Sequence, residues 1–113
     1  MPVKESEILQ QIRLAASKHG VVLHRNNIGA YKDPKGYYIK YGVCNPGGSD
    51  LVGWRIFDAG QTYGQIAQFV AIEVKTPTGK ATPEQLSFIN AVISAGGIAG
   101  VCRSVEDFLN LIK

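Results

Sequence analysis

The tetrapeptide Ile72-Glu73-Val74-Lys75 sets an acid and a base two residues apart within an apolar run. Along a strand successive side chains point to opposite faces, so Glu73 and Lys75 share one face and Ile72 and Val74 the other. At the usual rise the two polar groups stand about 7 Å apart. Projecting together from a core strand, they can hold a divalent metal and activate a water beside it. The plainer reading of an isolated E-x-K is an edge strand with a solvated Glu–Lys pair. Asp50 shifts that balance. It follows Pro46-Gly47-Gly48-Ser49 and opens the apolar segment Leu51-Val52, so a neighbouring strand can bring it to the same pole as Glu73. Two carboxylates with a few carbonyl oxygens and waters suit Mg²⁺; a turn-capping Asp after glycines is the alternative. The first helix offers a third acid. At about 100° per residue, Glu5 continues the inward stripe of Ile8, Leu9 and Ile12, while Glu7 points to the opposite side. Glu5 there either closes a metal site or favours the dipole of a solvated helix end.

Elements must position these groups. Ile8, Leu9, Ile12, Ala15 and Ala16 recur at helix spacing, with Gly20 at the stop. Val21 to Arg25 reads as a strand, NNIGAYKDPKG as an exposed loop, and Tyr37 to Val43 as a strand or extended segment. Leu51 to Phe57 and Phe69 to Val74 read as strands. The link between them is short enough for an antiparallel hairpin, with Gly60 and Gly64 as flexible points. Thr82-Pro83-Glu84 starts a helix, with Thr82 as N-cap and Pro83 at the first helical position. Leu86, Ile89 and Ile93 mark its buried stripe, and Gly96-Gly97 ends it. Ile98 to Cys102 is a short strand, and Ser104 caps a last helix with Val105, Phe108, Leu109 and Ile112 facing inward. The order is α-β-β-β-α-β-α, a mixed α/β chain whose last strand follows a helical crossover.

A length of 113 residues argues for a single domain spanning 1–113. At 45% hydrophobic and 19% charged residues the chain is foldable rather than disordered. No apolar run reaches the roughly 18 residues of a membrane span, and MPVKESEI is too polar for a signal peptide. Cys44 and Cys102 lack Cys or His neighbours at metal-ligand spacing, which argues against a zinc finger and fits a reducing cytoplasm. The net charge of +3 suits a polyanionic partner only weakly.

The motifs in order form a recognisable pattern. Asp50 with Glu73-Val74-Lys75 resembles the PD-(D/E)xK nuclease superfamily, and GGSDLVG, AIEVKTPTGKATPEQLSFI and AGGIAGVCRSVEDF resemble the VRR-NUC domain, the virus-type replication and repair nuclease. The similarity runs from about Glu5 to Phe108, and the chain's length leaves room for the small stand-alone, phage-type form. The resemblance implies a restriction-endonuclease-like core around a mixed central sheet. It implies metal-dependent hydrolysis of DNA leaving 5′-phosphate and 3′-hydroxyl ends, with Mg²⁺ or Mn²⁺ as cofactor and no small-molecule cofactor. Carried over, Asp50 and Glu73 hold the metal together with the backbone carbonyl of Val74, and Glu5 matches the first-helix acid. Lys75 orients or deprotonates the attacking water, and Gln85 positions Lys75 or the scissile phosphate. Ser49 stands where the family usually has Pro, which removes no ligand. The resemblance to Holliday-junction resolvases further implies a homodimer acting on branched DNA.

Arg25, Lys32, Lys35 and Lys40, interleaved with Tyr31, Tyr37, Tyr38 and Tyr41, can contact phosphates and stack on splayed bases; the alternative is a hairpin packing on itself or on a second subunit. Lys80 offers a further phosphate contact after the active strand, although T-P-T-G-K-A-T lacks P-loop spacing. His19 and His24 read as structural, and Trp54 as core or interface. A flap or nicking nuclease, an RNA-directed one, or a non-catalytic nucleic-acid-binding module are the competing functions.

Overall fold

A computed structural model describes residues 3–113. Helix α1 (Glu5–Lys18) leads into β1 (Val21–Arg25), and a two-stranded arm follows, β2 (Gly29–Lys32) paired antiparallel with β3 (Tyr38–Tyr41). Strand β4 (Leu51–Asp58) turns through one helical turn, α2 (Gly60–Tyr63), into the long β5 (Gln65–Val74). Helix α3 (Pro83–Ser94), β6 (Ile98–Cys102) and α4 (Val105–Leu111) complete the chain. The main sheet has the order β1-β4-β5-β6. β1, β4 and β5 are antiparallel neighbours, and β6 is parallel to β5 after the α3 crossover. This is a mixed α/β architecture around a mixed sheet, compatible with a nuclease fold. β5 is an interior strand, so Glu73 and Lys75 are not on an edge.

Strand alternation divides the core. Val21 and Leu23, Leu51, then Val70, Ile72 and Val74, and Cys102 face α1 and α4, where they meet Ile8, Leu9, Ile12, Ala16 and Phe108. Each such aliphatic or aromatic side chain contributes about 1.5–3 kcal/mol on full burial. The opposite face carries Ala71 and Ala99 beneath Ile89 and Val92 of α3. α3 covers only the β5–β6 half of that face, and Trp54, Ile56 and Phe69 remain 43%, 63% and 40% exposed. Trp54 is therefore not a core residue. Its ring lies 6.0 Å from that of His24 on β1.

Four expectations are corrected. Leu86 and Ile93 are 46% and 52% exposed, and α3 buries Ile89 and Val92 instead. Part of NNIGAYKDPKG is strand β2, because its residues find register with Tyr38–Tyr41. β5 begins at Gln65 rather than Phe69, since Gln65–Gln68 pair along the outer half of β4. Glu5 is exposed, and the inward stripe of α1 begins only at Ile8. Among the described residues no helix is long and apolar enough to cross a membrane.

Candidate active site

Register brings the acids together. Leu51 pairs with Ile72, so Asp50, one residue earlier, stands opposite Glu73, one residue later, on the α3 face of the sheet. Asp50 is held from both sides. Its carbonyl accepts the Asn26 N–H at 2.7 Å, and its Oδ2 accepts the Val74 N–H at 2.8 Å. Lys75 lies on the same face as Glu73, with Nζ 3.5 Å from Glu73 Oε2. These are the two groups that period-2 spacing set side by side.

Glu73 is 1% exposed, and its Oε1 has no hydrogen-bond partner among the described residues. A carboxylate without enough donors is costly to bury, and the cost falls on the charged form. Burial, and then the neighbouring Asp50 carboxyl, push Glu73 from its ordinary 4.5 up to about 8, while the Lys75 ammonium pulls the other way. A buried carboxylate with one orphaned oxygen, beside the half-buried Asp50, could hold a cation. The donor set of Asp50, Glu73 and the Val74 carbonyl is all oxygen, the chemistry that Mg²⁺ and Mn²⁺ take. Among the described residues no group of three His, Cys, Asp or Glu side chains gathers to hold a metal, and Glu5 stands exposed at the first turn of α1.

Asp50 and Gln85 share a polar cleft of about 770 Å³ with Arg25, Asn26, Asn27, Tyr41 and Asn45. Gln85 is there because of how α3 starts. Thr82 Oγ1 accepts the Gln85 N–H at 3.1 Å, and Gln85 Oε1 accepts the Thr82 N–H at 2.9 Å, a capping box that fixes the side chain beside the cleft. Of the basic residues singled out from sequence, Arg25 lines this cleft. Lys32, Lys35 and Lys40 are exposed on the arm and its turn, and Lys80 is exposed on the loop after β5; none of the four lines the cleft.

Two positioning residues escaped the sequence reading. Asn26 Nδ2 donates to the carbonyls of Val43 and Ser49, both at 3.0 Å, and its Oδ1 accepts the Val43 N–H at 2.9 Å. It thereby closes the loop that delivers Asp50. Gly48 lies so close to the Val43 carbonyl and the Asn26 amide that no side chain fits there. Arg103 Nη1 donates to the carbonyls of Thr76 and Gly79, both at 2.6 Å, bracing the turn between Lys75 and Lys80. Neither carries a spacing signal. An Asn at a strand exit and an Arg before a helix cap are common, and their partners are backbone atoms distant in sequence.

A family model for the VRR-NUC domain matches residues 3–106, nearly the whole chain. The chain belongs to the VRR-NUC domain family. Membership implies a nuclease with a DNA substrate, in a family that usually needs a divalent metal. No curated protein and no solved structure matches this VRR-NUC chain.

Proposed function

We propose that this chain is a single-domain, metal-dependent, structure-specific DNA endonuclease with a PD-(D/E)xK core, acting on branched DNA. The observation that carries the reading is the buried, unpartnered Glu73 Oε1 beside Asp50 and within 3.5 Å of Lys75 for its second oxygen. Asp50, Glu73 and the Val74 carbonyl are the proposed ligands of Mg²⁺ or Mn²⁺, and Glu5, exposed, is left out of the set. A cation bound there lowers the pKa of a water and relieves charge at phosphorus. Lys75 orients the attacking water and steadies the negative charge that grows on the phosphoryl oxygens. Gln85, its carbonyl used by the cap, turns its amide donor to the scissile phosphate. Arg25 takes a flanking phosphate in the cleft, and Lys32, Lys35, Lys40 and Lys80 contact phosphates farther along the strand. The water oxygen bonds to phosphorus as the P–O3′ bond breaks, and a proton passes to O3′. The products are a 5′-phosphate and a 3′-hydroxyl.

The uncovered sheet face supports a homodimer. Trp54, Ile56 and Phe69 leave exposed apolar surface on the part of the sheet face that α3 does not cover. A two-fold axis through it sets two sites on one junction. Sedimentation at micromolar concentration is expected to give the dimer mass, and Ile56→Asp the monomer. A monomeric wild type removes the dimer from the proposal.

The functional test is cleavage of labelled four-way junction, flap and plain duplex DNA. Symmetric junction cuts are expected. Flap cuts alone keep the nuclease and discard the resolvase, and tight binding without cuts replaces the enzyme with a binding module.

A further inference from the structure

The arm formed by β2 and β3 has two chemically distinct faces. Lys32 and Lys40 share one with Tyr38, whose ring centre is 5.9 Å from the Lys32 ammonium. Tyr31, Ile39 and Tyr41 share the other. On that second face Tyr41 stands directly opposite Gly29, and the missing side chain there is filled by the Tyr41 ring. A methyl group on Gly29 would overlap the ring's phenolic end. The glycine thus acts as a seat for one side of the ring, while Tyr41 remains 48% exposed.

The seat is tied to the catalytic loop. Asn45 Nδ2 donates to the carbonyls of both Gly29 and Tyr41, at 2.7 and 3.1 Å. Asn45 lies five residues before Asp50, in the loop that Asn26 closes. Tyr41 lines the same cleft as Asp50, Arg25, Asn27 and Gln85. A flat aromatic surface, packed against Gly29 on one side, therefore lines a polar cleft that holds Asp50, Gln85 and the basic Arg25.

We propose that Tyr41, seated on Gly29, is a stacking platform for an unpaired base next to the scissile phosphate, and that this platform makes unpaired nucleotides at the cut site the preferred substrate. The proposal rests on the nuclease reading above. A base inside a duplex already stacks on its neighbours and must leave the helix to reach the ring, whereas a base in a gap, tail or branch point is free to do so. Tyr41 so acts as a specificity residue, and the basic arm face supplies sequence-independent grip.

The test compares a fully paired duplex with the same duplex carrying a three-nucleotide unpaired gap that contains 2-aminopurine. Cleavage and 2-aminopurine fluorescence are both followed. Wild type is expected to prefer the gapped DNA and to quench the probe. Tyr41→Ala and Gly29→Ala should each lower kcat/KM on gapped DNA by about 10-fold, leave the paired duplex unchanged and abolish the quenching. Tyr41→Phe, which keeps the ring, should behave as wild type. An equal loss on both substrates, or quenching that survives Tyr41→Ala, overturns the platform. If wild type cuts neither DNA while quenching still depends on Tyr41, the platform stands and the nuclease reading falls.

Discussion

Asp50→Asn and Glu73→Gln are each expected to reduce DNA cleavage by about 1,000-fold or more, roughly 4 kcal/mol of barrier, without unfolding the protein. Both substitutions keep shape and remove charge from the proposed cation receptor. Neither takes an apolar contact from the core, because the two acids sit at the end of the sheet beyond Leu51 and Ile72. Glu73→Gln also removes the acid whose ionisation burial opposes, so the variant should be no less stable than wild type. Lys75→Ala should cost about 100- to 1,000-fold, the usual loss when one preorganised charge donor is removed. The same cleavage assay with circular dichroism checks all three, and an active Asp50→Asn protein would contradict the assignment.

The second large effect is a dependence of stability on pH when divalent cations are chelated. Glu73 is raised from 4.5 to about 8, foremost by burial and then by Asp50. The folded state thus holds a proton that the unfolded chain has released. The stability from this group is complete below pH 4.5, declines between 4.5 and about 8, and is lost once pH passes the folded value. For a raised acid the loss comes on raising pH, opposite to the usual salt-bridged carboxylate. The difference is on the order of 5 kcal/mol. Thermal unfolding in EDTA at pH 5, 6.5 and 8.5 should show wild type falling relative to Glu73→Gln. Mg²⁺ added at pH 8.5 should raise the midpoint of wild type and not of the variant, since a cation that binds only the folded state stabilises it. Parallel pH profiles would show that Glu73 titrates normally.

The groups that carry these effects were legible because their signals are local. Period-2 alternation suffices to set Glu73 beside Lys75, and an apolar strand opening at Leu51 suffices to aim Asp50 at the same end of the sheet. The Thr82-Pro83 start and Ser104 cap were equally plain, and both side chains accept the expected backbone N–H groups. Rotation of α3 about its axis was not legible. Leu86, Ile89 and Ile93 fit a helical stripe, but the helix covers only half a sheet face and turns Gln85 toward the cleft, which leaves Leu86 and Ile93 outside. Glu5 fails for a related reason. Spacing continues the stripe of α1 outward from Ile8, whereas contact with the sheet stops there.

The arm was the hardest part to read. Its sequence is dense in turn residues, and one of them organises the reversal, since Asp33 Oδ1 accepts the N–H groups of both Lys35 and Tyr37. Strand β2 then depends on pairing with β3 and on Asn45, none of it visible as local propensity. The burial of Glu73 also lies beyond pattern. An E-x-K on a solvated edge and one at the interior of a sheet have the same spacing, and only the position of β5 between β4 and β6 separates them.

Cleavage of a 5′-labelled four-way junction in Mg²⁺, in Mn²⁺ and in EDTA, with wild type beside Asp50→Asn and Lys75→Ala, tests the central claim most directly. Cuts that require the cation and vanish in both variants are the predicted result. Cuts that persist in EDTA or in Asp50→Asn would contradict it.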